Sequence, residues 1–141
     1  MGVSDGEFKK VYIDNFTATI AGRNAYKEIM AIIITLRGKM GGRGPFSNRD
    51  VNYKVYINVN NIRSDQIPHL FFLDPPDEKI KHVNIFRPAA CGDLGKNLPH
   101  LCWGEYQNYW AQLEPYNRTL MALIKCAETV LKNQNLSSPA R

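Results

Sequence analysis

The chain has 141 residues, 44% hydrophobic and 22% charged, so it reads as one domain (1–141) able to bury a core without metals or disulfides. Eighteen Lys and Arg against thirteen Asp and Glu leave a net charge of +5, but the basic residues are scattered and form no polybasic tract. Cys91, Cys102 and Cys126 are an odd number of thiols with no C-x-x-C, which argues against a disulfide framework and the usual zinc grammar and for a reducing, cytoplasmic setting.

No metal or cofactor is expected. The longest apolar run, residues 29–34, is too short to span a bilayer, and the start MGVSDG lacks the apolar segment of a signal peptide.

Residues 7–20 mix apolar and polar positions without a clean period and fit either a short helix or a leading strand. Residues 28–36 (EIMAIIITL) are β-rich and read as a strand buried on both faces. The Gly-rich stretch 38–45 then breaks it. Residues 51–59 alternate strictly: Val51, Tyr53, Val55, Ile57 and Val59 share one face, and Asn52, Lys54, Tyr56 and Asn58 the other.

A third strand is predicted at 69–73, closed by Asp74-Pro75-Pro76. Residues 77–101 are rich in turn formers and read as one long functional loop. The stretch 118–131 spaces Leu120, Leu123, Ile124, Ala127 and Leu131 as a helix, with Lys125, Glu128 and Lys132 outward. Residues 137–141 read as a frayed tail. The expected class is α+β, an antiparallel meander packed against helices.

In this order, a Pro-bounded third strand (IPHLFFLDPP) is followed by His82-Val83-Asn84, then Leu101-Cys102-Trp103, then Trp110 eight residues after Cys102, then a helix. The pattern resembles the ubiquitin-conjugating enzymes. Two departures stand out: Val83 occupies the place of the family's Pro, and Asn84 lies 18 residues before Cys102, farther than is usual there. The short chain and long insertion are similar to the minimal bacterial members that accompany CBASS antiphage operons.

The resemblance implies that Cys102 carries a partner protein's C-terminus as a thioester and passes it to an amine. The partner would be a ubiquitin-like protein or a cGAS-like nucleotidyltransferase. It also implies that Asn84 either donates to the oxyanion or orders the loop.

A thiol that must meet two large partners belongs on a loop or loop edge, where Cys102 falls. His100 is a candidate base or a turn residue. His82 and His69 read as structural, Cys126 as core, Cys91 as a buried or idle loop thiol, and Trp110 as a packing anchor. Two other readings stay open: a catalytically inactive conjugating-enzyme-like binder, and a small basic module for single-stranded nucleic acid. The second wants aromatics on one sheet face, which Tyr53 and Tyr56 do not share. Neither a membrane nor a nucleic acid is expected as partner.

Overall fold

The computed structural model describes residues 1–11, 17–41, 49–133 and 140. Four strands form an antiparallel meander: β1 (Thr17–Arg23), β2 (Ile29–Met40), β3 (Arg49–Asn58) and β4 (Leu70–Asp74). A hairpin of β5 (Ile85–Cys91) and β6 (Lys96–Leu101) joins that sheet through β6, giving the order β1-β2-β3-β4-β6-β5. Helices α1 (Asp5–Lys9), α2 (Tyr106–Gln112) and α3 (Leu120–Lys132) complete an α+β architecture, as expected.

Strand alternation sorts the sheet into two unequal faces. Tyr53, Val55 and Ile57 enter the main core with Ile32, Ile34 and Leu36 of β2 and Leu70 and Phe72 of β4. Phe8 of α1, Trp110 of α2 and Leu120, Leu123, Ile124 and Leu131 of α3 cover that face. Each fully buried Leu or Ile contributes roughly 1.5–3 kcal/mol over an exposed one. Gly38 lets α3 approach β2 closely: a Cβ there would lie 2.7 Å from Leu131 Cβ and 2.9 Å from Tyr53 Cε2. Ala31, Ile33, Tyr56, Phe71 and Leu73 point the other way and form a smaller cluster with Cys91 and Leu98, to which none of the described helices contributes.

The strict alternation at 51–59 is borne out, and the stretch 7–20 holds the end of α1 and the start of β1, its residues 12–16 lying outside the described residues. Several expectations are corrected. Residues 77–101 are not one loop: after a short turn at Asp77–Lys79 they form β5 and β6. Strand β2 continues through Gly38 to Met40, so the break begins later than expected; residues 42–48 of it lie outside the described residues. Finally, α3 begins at Leu120 rather than Arg118, because the Thr119 side chain accepts from Ala122 N at 3.1 Å and caps the helix.

Arg118 is instead buried and donates to three carbonyls: Trp110 O at 3.0 Å, Ala111 O at 2.9 Å and Arg63 O at 2.7 Å. Glu128, expected to face outward, is buried too. Its carboxylate accepts from Arg37 N at 2.7 Å, Nε at 3.2 Å and Nη2 at 3.1 Å, which supplies the pairing that a buried charge needs. The Glu7 carboxylate accepts from Leu120 N at 2.7 Å and pairs with Arg63, tying α1 to the positive end of α3. Of the expected tail, residues 137–139 and 141 lie outside the described residues, and Ala140 is buried.

Candidate active site

Strand β6 delivers Cys102. Leu101 enters the main core, so alternation turns its neighbours His100 and Cys102 toward the second face. Cys102 N donates to Asn84 O at 2.8 Å, and the Trp103 indole donates to Pro68 O at 3.0 Å. Gly104 follows at φ 57°, a left-handed turn that glycine takes without strain, and α2 starts two residues later. From α2, Gln107 accepts from Ile67 N at 3.1 Å and donates to Asp65 O at 2.9 Å. The backbone around Cys102 is therefore braced on both sides, while its free thiol remains partly exposed.

Cys102 lines a cavity of about 940 Å³ between the hairpin, the second sheet face and the connection that precedes β4. Phe71, Phe86, His69, His100 and Trp103 share the lining. The register aligns Tyr56 of β3 with Phe71 of β4, Phe71 with His100 of β6, and His100 with Phe86 of β5. His100 stacks on Phe86 with ring centroids 4.8 Å apart at 28°, and lies 6.0 Å from the Phe71 ring. Burial, then the neighbouring His69, pushes the His100 pKa below its ordinary value, with the Leu98 carbonyl opposing. The imidazole is thus neutral at neutral pH. Among the described residues its buried Nδ1 has no hydrogen-bond partner, and no hydrogen bond joins His100 to Cys102.

At the hairpin tip, Asp93 Oδ2 accepts from Tyr56 Oη and from Asn58 Nδ2, both at 2.8 Å. Both donors belong to β3, so the tip folds back over the second face. Cys91 is left only 2% exposed beneath it. β6 meets β4 at a single residue pair, Phe71 with His100.

Asn84 lies beside Cys102 through its backbone alone. Its side-chain amide donates to Val130 O at 3.2 Å and Asn133 O at 2.6 Å, so both amide hydrogens go to carbonyls at the end of α3. Of the two roles the resemblance allows Asn84, these contacts are of the structural kind. His82 does parallel work. Asn84 N donates to His82 Nδ1 at 3.1 Å, which leaves the proton on Nε2, 2.8 Å from Leu131 O. Burial lowers the His82 pKa, with the Leu131 carbonyl opposing. Together His82 and Asn84 satisfy carbonyls that a helix C-terminus leaves open.

Cys126 sits in the α3 core, where burial pushes its thiol pKa up. Trp110 is fully buried, a packing anchor. His69, expected to open the third strand as a structural residue, is exposed at the cavity one residue before β4. Among the described residues no three of His, Cys, Asp and Glu gather to hold a metal.

Sequence reasoning missed the aromatic row. A signal was present in the Gly92-Asp93-Leu94-Gly95 turn between IFRPAAC and KNLPHL, with Gly95 at φ 64°. No family model matches the chain, and no curated protein matches it. Among the described residues no helix is long and apolar enough to cross a membrane.

Proposed function

We propose that this chain is a cytoplasmic, thioester-forming acyl carrier of the ubiquitin-conjugating kind, with Cys102 as its nucleophile. One observation carries the reading: a partly exposed thiol on a backbone braced at Asn84, Pro68 and Ile67, opening on a cavity. Acyl transfer through a thioester asks the protein mainly for positioning, since the acyl group is already activated toward amines. Cys102 takes the C-terminal acyl group of a partner protein, and an amine then displaces the sulfur. A neutral imidazole in the same cavity, His100, can accept the amine's proton. By family resemblance the partner is a ubiquitin-like protein or a cGAS-like nucleotidyltransferase, in antiphage defence.

The test is the nature of the adduct. Cys102→Ser should convert a reductant-labile adduct into a reductant-stable oxyester, and Cys102→Ala should abolish it. An adduct that survives Cys102→Ala and disappears in Cys91→Ala moves the nucleophile; indifference to both leaves a binding module.

The row of Phe71, His100 and Phe86 favours a second reading, a stacking platform for single-stranded nucleic acid. Against it, no Lys or Arg is among the described residues lining the cavity. A salt-sensitive gel shift lost in Phe86→Ala would promote it.

A further inference from the structure

The cavity beside Cys102 is built for more than access to a thiol. Phe71 and Phe86 are only half-buried, so ring surface on both sides of His100 is open to an occupant. His100 already joins them in one row, stacked at 4.8 Å with one and tilted at 6.0 Å from the other. Such a row accepts a further ring in offset or edge-on geometry, which contributes more than aliphatic burial of the same area.

The charge pattern narrows the occupant further. Among the described residues the cavity lining contains no Lys, Arg or Glu. Its one carboxylate, Asp93, holds Tyr56 and Asn58 through Oδ2. An acidic side chain would find no counter-ion there and a basic one only Asp93, whereas a neutral ring would meet matching surface. The volume, about 940 Å³, holds a short peptide segment rather than a single residue.

We infer that the cavity selects the acyl donor's tail, holding an aromatic side chain from its last two residues against Phe71, Phe86 and His100 while the terminal carbonyl meets Cys102. This rests on the acyl-carrier reading for the identity of the tail. The loading step balances simply. With the tail presented as a thioester, the Cys102 thiolate attacks its carbonyl, and the new C–S bond forms as the old C–S bond breaks. The departing thiolate leaves with its bonding pair and takes up a proton equivalent to the one Cys102 lost.

Two measurements on the full chain separate the inference from the reading beneath it. The first is equilibrium binding of acetylated tripeptide acids, followed by fluorescence of Trp103 in the cavity wall. Gly-Phe-Gly and Gly-Gly-Phe are compared with Gly-Leu-Gly, Gly-Lys-Gly and triglycine. The better phenylalanine peptide should bind about tenfold more tightly than triglycine and ahead of the leucine peptide. Phe86→Leu, which keeps an apolar side chain and removes the ring, should erase the lead over leucine without lowering the melting temperature. Leucine equal to phenylalanine, no preference among the five, or a preference untouched by Phe86→Leu would each overturn the inference.

The second measurement is loading of Cys102 by the same peptides as thioesters, read by intact mass. Aromatic-selective loading supports both proposals. Aromatic-selective binding with no loading keeps the ring site and sinks only the acyl carrier. Indiscriminate loading without selective binding sinks the ring site and keeps the carrier.

Discussion

Replacing Asn84 by Ala removes two hydrogen bonds from the end of α3 and leaves the main-chain bond to Cys102 in place. Each bond contributes about 1 kcal/mol net, and an acceptor left buried and unpaired costs about 1–3 kcal/mol. Val130 O keeps a long bond of 3.4 Å from Asn133 N, and the exposed Asn133 can turn its carbonyl to water. The expected loss is therefore about 2 kcal/mol, the two bonds together with little added for stranded acceptors. Urea unfolding should show the midpoint falling by about 1 M with an unchanged m-value. Asn84→Asp should cost more, because it aims a carboxylate oxygen at the same two carbonyls. Below the unfolding transition, Asn84→Ala should load Cys102 within a few-fold of the native rate. Native stability combined with an about hundredfold slower transfer would refute this reasoning and restore Asn84 as an oxyanion donor.

Two further outcomes follow from the same contacts. His82 and His100 both hold lowered pKa values, chiefly through burial, so the unfolded chain binds protons that the folded one refuses. Stability should fall as pH drops below the ordinary histidine value of 6.5 and level off below the folded values; His82→Gln, still able to donate to Leu131 O, should flatten that slope in thermal melts. Asp93→Ala should release the hairpin tip from Tyr56 and Asn58, and peptide mapping should find Cys91 alkylated several-fold faster by iodoacetamide while Cys126 stays protected.

What could be read from the sequence was whatever repeats locally. Val51 to Val59 announces its two faces by alternation, and Leu120 to Leu131 its buried stripe by helical spacing. Positions whose state is set by a distant partner were opaque. Glu128 looks like a solvated helix charge until Arg37, 91 residues away in sequence, is beside it. The His82-x-Asn84 pair reads as a site motif or a loop brace with equal ease, since the carbonyls it serves belong to a helix some 46 to 49 residues on. The hairpin was hidden because β5 has four consecutive exposed residues and carries Pro88, while β6 carries Pro99. Neither strand shows the period of a half-buried one. Cys102 was legible as a thiol at the edge of an irregular stretch; the rings around it were not, because they come from three different strands.

Both outer strands of the sheet are interrupted. In β1 the register slips on either side of Gly22, and in β5 it slips between Phe86 and Ala89, across Arg87 and Pro88. Pro88 offers no amide donor, and a bulged edge bends away from a straight template. A second chain therefore finds no continuous ladder on which to extend the sheet at either side. For a protein with exposed strand borders, that is protection against end-to-end association into fibres. It also means that a polypeptide arriving at either border would gain little from main-chain pairing, so any discrimination there would rest on its side chains.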